Sequence, residues 1–236
     1  KERSSNAEGK PPFDLSNMPN EARTAWERYL DATADDDAGV SSGSLEVIKD
    51  HARVLAFERS PEGRPIGIAY QSPYSRMIVD LVQDATGEQF AYERIMPVQK
   101  GAVVIVPLFQ GRFVLLQQFR HALRDFQLGF PRGYGEAGLS AEENAAKELH
   151  EELGVEPAST LTHLGTVIAD SGLSGNKVAV FLCDVPEPKI DSSHEGIEGY
   201  ETFTSEELDR AIKDGAITDG FTLSALSLLR CHMNAL

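Results

Sequence analysis

Glu148, Glu151 and Glu152 fall at i, i+3 and i+4 in the run Lys147-Glu148-Leu149-His150-Glu151-Glu152. A helix there carries three carboxylates on one face. Like charges at that spacing repel, and a helix gains nothing from them by themselves. A divalent cation reverses the sign of the interaction: hard ions such as Mg²⁺ take oxygen ligands, commonly one or two carboxylates together with substrate phosphates. An acidic helix face taken alone is more often solvated surface than metal site, so the neighbouring residues decide the matter.

Those neighbours specify a loop feeding a helix. Ser140 and Glu143 have the spacing of a capping box, in which hydroxyl and carboxylate satisfy the first free N–H groups. Ala145, Ala146, Leu149 and Leu153 recur at helical spacing and form a buried side. Gly154 suits the left-handed conformation that ends a helix. Upstream, Gly133, Gly135 and Gly138 mark the loop. The apolar side anchors the unit and the acidic side is offered to a ligand.

The stretch from Gly133 to Val155 resembles the Nudix box, whose pattern is Gly, five residues, Glu, seven residues, then Arg-Glu-aliphatic-x-Glu-Glu-x-Gly-aliphatic. Gly133, Glu148, Leu149, Glu151, Glu152, Gly154 and Val155 match it. Leu139 stands where the first Glu belongs, and Lys147 where the Arg belongs. Lysine keeps the charge but loses the planar fork of arginine, and Glu136, three residues before Leu139, is a candidate to reach into the vacated space. The resemblance implies an α/β (α+β) fold, the Nudix α/β/α sandwich with a mixed sheet. It also implies Mg²⁺ (Mn²⁺ as a substitute) held by Glu148, Glu151 and Glu152, helped by the backbone carbonyl of Arg132.

Composition narrows the partners. The 236 residues are 41% hydrophobic and carry a formal net charge of −15, which argues against duplex DNA or bulk RNA but not against a small anion neutralised locally. No apolar run approaches the ~20 residues of a membrane span, and the opening residues carry no secretory pattern. Cys183 and Cys231 form no disulfide framework or zinc spacing. A cytoplasmic protein with reduced thiols is expected.

Three segments are expected. Residues 1–43 are polar, with Asp35-Asp36-Asp37 read as a solvated run and one amphipathic helix from about Asn20 to Ala32 packing through Ala22, Trp26, Tyr29 and Leu30. Residues 44–96 alternate apolar and polar as an antiparallel strand unit: Arg53–Glu58 and Ile66–Ala69 flank Pro61-Glu62-Gly63, and Met77–Val82 and Phe90–Arg94 flank a turn at Asp84–Gly87. Residues 97–236 form the catalytic unit, in which Ala102–Leu108 and Phe113–Phe119 make a central hairpin around Gln110-Gly111.

The chain is similar to pyrophosphatases of the ADP-ribose type, and several expectations rest on that resemblance. The strand unit would form a homodimer. Gln118-Phe119-Arg120 matches a triplet whose arginine contacts substrate phosphate, so Arg120 is expected to bind substrate together with Arg132. Ser171 occupies the position, sixteen residues past the box, where many ADP-ribose hydrolases have proline, and Asn176 replaces a common acidic residue of that loop. Either Glu195 or Glu198 would deprotonate the attacking water, alongside Glu152 among the catalytic carboxylates. The activity implied is hydrolysis of the pyrophosphate bond in a nucleoside diphosphate linked to another group, with ADP-ribose or another nucleotide sugar first. The alternatives are hydrolysis of modified nucleoside triphosphates, or nucleotide binding without catalysis.

Overall fold

The computed structural model describes residues 24–34, 45–190 and 196–234. Ala22, the Asp35–Asp37 run and Glu195 lie outside them. Within the described residues the chain forms two compact units, one ending at Ser72 and taking in Arg76–Arg94, the other made of Pro73–Ser75 and everything from Ile95 onward.

In the first unit, helix α1 spans Ala25–Ala32. It starts at Ala25 because Thr24 and Glu27 close a capping box, which places the observed N-terminus later than the periodicity suggests. Strand β1 (Leu45–Val47) precedes helix α2 (His51–Glu58), and strands β2 (Gly67–Gln71), β3 (Ser75–Asp84) and β4 (Gln89–Pro97) follow. β3 pairs with β1 and β2 in antiparallel fashion and also with β4.

The strand expected over Arg53–Glu58 is therefore a helix. Asp50 caps it, accepting from the Arg53 backbone N–H at 2.8 Å. Val54 and Phe57, at i and i+3, join Ile48 and Leu81 in the unit's apolar cluster. An apolar run this short fits either period, and the cap decides between them. Tyr29 of α1 is fully buried, and its hydroxyl donates to Asp80 of β3 at 2.6 Å.

The second unit is the sandwich. Its elements run β5 (Val103–Phe109), β6 (Arg112–Arg120), β7 (Asp125–Gly129), β8 (Arg132–Gly133), α3 (Ala141–Leu153), β9 (Thr162–Val167), β10 (Val178–Asp184), β11 (Ile197–Phe203), α4 (Ser205–Lys213) and α5 (Gly220–Met233). The sheet order is β11-β6-β5-β10-β9, with β7 added to β6 and β8 to β5. β5 and β10 run parallel and the other pairs antiparallel, so the sheet is mixed.

β5 explains why its sequence is almost continuously apolar. Val103 and Ile105 pack with Ala145, Leu149 and Leu153 of α3. Val104 and Val106 pack on the opposite side with Leu208 of α4 and Leu226 and Leu229 of α5. A strand covered on both faces has no solvent side to make polar. The mixed α/β/α architecture agrees with the expectation from sequence; strand β7, which carries the chain from Arg120 back toward the glycine loop, had no clear signal.

Candidate active site

Helix α3 begins as its residues require. Ser140 Oγ accepts from the Glu143 N–H at 3.2 Å, and the Glu143 carboxylate accepts from the Ser140 N–H at 2.8 Å. Those bonds to Ser140 pull the exposed Glu143 carboxyl below its ordinary value. The helix ends at Gly154 in the left-handed conformation, φ 64°. Glu148, Glu151 and Glu152 do not share one environment. Glu148 and Glu152, one turn apart, are 8% and 3% exposed, whereas Glu151 is on the surface.

The burial of Glu148 depends on Gly133. A Cβ at position 133 would sit 1.9 Å from Glu148 Oε1, so only glycine lets the carboxylate lie against the β8 backbone. Gly135 is held as tightly from the other side, where a Cβ would meet the Lys100 carbonyl oxygen at 1.9 Å. Glu152 Oε2 accepts the backbone N–H of Arg132 at 2.9 Å. Asn144 completes the loop's attachment: its Nδ2 donates to the carbonyls of Tyr134 at 2.8 Å and Gly101 at 3.1 Å. A buried amide at i−4 from Glu148 thus ties the loop to the helix.

The departures from the box are linked. Lys147 Nζ lies 2.6 Å from Glu151 Oε2 and 3.3 Å from Glu136 Oε2. Glu136 therefore supplies a carboxylate to the cation that Leu139 cannot serve. The Glu151 hydrogen bond is the largest of the effects that raise the lysine above its ordinary pKa, outweighing its partial burial. With Glu151 engaged by Lys147, no three His, Cys, Asp or Glu side chains among the described residues already converge as a metal cage. The donor set nonetheless suits a hard divalent ion, since all three groups are carboxylates and the Gly133 cradle leaves room for Glu148 where a Cβ would fill it.

These groups open onto a cleft of about 580 Å³ whose lining includes Arg120, Arg132, Glu148, Glu151, Tyr134 and Asn176. Arg132 is braced: Nη1 is 3.0 Å from Asp219 Oδ1 and its guanidinium lies 4.9 Å from the Phe221 ring centroid. Asp219 is also the N-cap of α5, accepting from Thr222 N and Oγ1 at 2.9 and 2.8 Å. Thr222 Oγ1 in turn accepts the Phe130 N–H at 3.0 Å, joining α5 to the entry of the loop. A second cavity of about 400 Å³ shares Arg120 and Arg132 and adds His121, Gln127 and Thr218.

The structure thus brings Glu148, Glu151, Arg120 and Arg132 to one cleft, with Glu152 buried beside it. Glu198 lies elsewhere: it is exposed at an irregularity of β11 between Ile197 and Gly199, and it lines neither cavity. Ser171 is exposed in a turn in which Asp170 Oδ1 accepts the Gly172 N–H. Sequence reasoning passed over Asn144, Asp219 and Phe221. Asn144 had a signal, a polar residue inside the apolar stripe of the helix. Asp219 could be read as a helix cap, but its second role as partner of Arg132 is a tertiary fact.

A mixed sheet between two helical layers, with a carboxylate helix packed beneath a glycine loop and two arginines across the cleft, defines a class of α/β/α sandwich proteins. The chain belongs to the NUDIX domain family, whose profile matches residues 98–222. The ADP compounds hydrolase NudE of Escherichia coli (strain K12) is 36% identical over 86 residues, 36% of this chain and 45% of that protein. The match thus spans less than half of that relative's length. A crystal structure of an ADP compounds hydrolase shares the fold, with a TM-score of 0.61 and 21% identity over 72% of this chain and 92% of that one.

Proposed function

We propose that this protein is a divalent-cation-dependent pyrophosphohydrolase. Its substrate would be a nucleoside diphosphate linked to another group, ADP-ribose or a related nucleotide sugar first. The observation that carries the reading is the single cleft combining Glu148 and Glu151 with Arg120 and Arg132. A diphosphate repels nucleophiles until its charge is offset, and this cleft has cationic side chains of its own beside carboxylates suited to a metal. The family's membership and the similarity to proteins named as ADP compounds hydrolases support the same class.

Glu148, Glu151 and Glu152, with the Arg132 carbonyl, would hold Mg²⁺ or Mn²⁺, which lowers the pKa of bound water and offsets charge on the phosphoryl oxygens. The chain's own groups do the rest. Arg132, braced by Asp219 and Phe221, presents a guanidinium in one orientation, and Arg120 stands at the junction of the two cavities. Together they would fix the diphosphate. A proton from the attacking water would pass to a carboxylate, Glu195 or Glu198. Water adds to one phosphorus, the bridging P–O bond breaks, and a nucleoside monophosphate and a sugar phosphate leave.

The same reading places the protein in the cytoplasm as a homodimer, with the strand unit of residues 44–96 supplying the contact. Both cysteines are free, burial pushes the Cys183 thiol up to about 12, and no helix among the described residues is long and apolar enough to cross a membrane. The test is release of AMP from ADP-ribose with Mg²⁺, comparing wild type with a folded Glu152→Gln variant. Turnover that collapses in the variant supports the reading. Turnover of other nucleotide sugars but not ADP-ribose moves the substrate, and turnover of none overturns the reading in favour of a nucleotide-binding module.

A further inference from the structure

Asn144, Glu148 and Glu152 stand at i, i+4 and i+8 on α3, which makes them one stripe of the helix surface. All three are buried, Asn144 most completely at 1% exposed. Three consecutive residues of the glycine loop meet that stripe in reverse order. Glu152 Oε2 accepts the Arg132 N–H at 2.9 Å. Glu148 Oε1 lies 1.9 Å from where a Gly133 Cβ would stand. Asn144 Nδ2 donates to the Tyr134 carbonyl at 2.8 Å. The outer two side chains grip main chain, and Glu148 is the carboxylate seated between them.

The two grips differ in chemistry because the main chain offers different groups. At Arg132 it offers an N–H, which a carboxylate accepts. At Tyr134 it offers a carbonyl, which needs a donor, and the asparagine amide carries two N–H donors. The amide also donates to the Gly101 carbonyl at 3.1 Å. One side chain thus joins α3, the glycine loop and the residues that lead into β5. Asn144 Oδ1 meets no donor among the described residues, so the side chain's hydrogen bonding is spent on those carbonyls. The same backbone segments are pressed together next door, where a Cβ at Gly135 would meet the Lys100 carbonyl oxygen at 1.9 Å and the Gly101 nitrogen at 2.9 Å.

We infer that Asn144 is a positioning residue for the reaction, acting through the loop to set Gly133 where Glu148 lies against it. This rests on the proposed reading of Glu148 as a ligand to the cation. Without the amide the loop is still held at its Arg132 end but no longer at its Tyr134 end, and Glu148 loses a fixed wall. Groups that orient metal ligands without touching the metal govern its affinity in this way. Asn144 therefore belongs to the function of α3 as well as to its fold.

The experiment compares wild type, Asn144→Ala and Val185→Ala. Alanine is a good helix former, so the first variant keeps α3. Val185 lies in the apolar cluster that α3 packs into, so its truncation lowers stability without touching the clamp. Amide hydrogen exchange on the metal-free protein reads the loop itself. Asn144→Ala is expected to speed exchange of the Arg132 amide roughly tenfold relative to the amides of β5, the size of one net hydrogen bond, and Val185→Ala is not. Mn²⁺ binding followed by electron paramagnetic resonance is expected to weaken roughly 10- to 100-fold in Asn144→Ala and to stay at the wild-type value in Val185→Ala. Faster exchange with wild-type Mn²⁺ affinity overturns the inference, leaving Asn144 a structural tie. Weaker Mn²⁺ binding without faster exchange overturns it too, since the effect would not pass through the loop, as does equal weakening in Val185→Ala. A wild type that binds no Mn²⁺ overturns instead the reading of the cleft on which the inference rests, so the two failures are distinct.

Discussion

Asp80 and Glu152 are equally buried, each 3% exposed, and they sit in different units of the chain under different electrostatic regimes. Asp80 accepts from the Tyr29 hydroxyl at 2.6 Å and from Arg94 Nε at 2.5 Å, so a formal positive charge meets it directly. Glu152 accepts the Arg132 backbone N–H, a dipole that brings no formal charge. Its neighbours on α3 are two more glutamates, Glu148 one turn earlier and Glu151 next in sequence. Burying a carboxylate beside a guanidinium makes a structural pair. Burying one among other carboxylates concentrates negative charge, the arrangement that the proposed cation site would use.

The contrast predicts opposite outcomes for the same chemical change. Glu152→Gln keeps the shape of the side chain and its ability to accept from the Arg132 N–H. It is expected to lower ADP-ribose turnover by roughly 10³-fold, since each such ligand serves several kcal/mol of charge stabilisation, with the unfolding midpoint in urea almost unmoved. Asp80→Asn is expected to do the reverse, costing about 3 kcal/mol of stability because Arg94 loses its buried partner, while the folded fraction turns over as wild type. Urea unfolding beside single-turnover kinetics checks both. If Asp80→Asn instead lowers turnover without loss of stability, the separation between a structural and a functional carboxylate is wrong.

How much of this was legible in the sequence follows from the range of the interactions. The α3 unit was readable because each part is local: the Ser140–Glu143 cap, the apolar period, the Gly154 stop. The central hairpin was readable for the same reason. Helix α2 was not, since Arg53–Glu58 suits a strand as well as a helix, and the deciding bond comes from Asp50 outside that run. The site divided along the same line. Spacing put three glutamates on one face, but Glu148 is seated by Gly133, Glu152 is held by the Arg132 N–H and Glu151 pairs with Lys147. The brace on Arg132 was out of reach, because Asp219 is 87 positions away and only the packing of α5 beside the loop brings them together.

Gly133→Ala sharpens the comparison without touching a charge. Its Cβ would fall 1.9 Å from Glu148 Oε1, so the carboxylate must leave the β8 backbone. Groups that orient metal ligands are worth roughly 10- to 100-fold in metal affinity, and a loss of that size is expected in Mn²⁺ binding followed by electron paramagnetic resonance. Wild-type Mn²⁺ affinity in this variant would mean that the seat of Glu148 against the loop has no part in holding the ion.

The smallest expected effect concerns the third glutamate. Lys147 and Glu151 are 35% and 41% exposed, and Lys147 and Glu136 are 35% and 53% exposed, so solvent screens both pairs and Lys147→Met is expected to cost about 0.5 kcal/mol. The sign with pH is set by the raised lysine. A folded pKa above the ordinary 10.5 means that the contribution is fully present below 10.5 and is lost as pH rises through the folded value. The difference in urea midpoint between wild type and Lys147→Met should therefore stay constant from neutral pH to about pH 9, shrink above the lysine's folded value, and shrink also in high salt. The Asp80–Arg94 pair, with side chains 4% and 22% exposed, should hold its contribution in the same salt. A Lys147 effect that resisted salt as well would place Glu151 with the buried carboxylates, and the division into two seated glutamates, Glu148 and Glu152, and a solvent-facing Glu151 would fail.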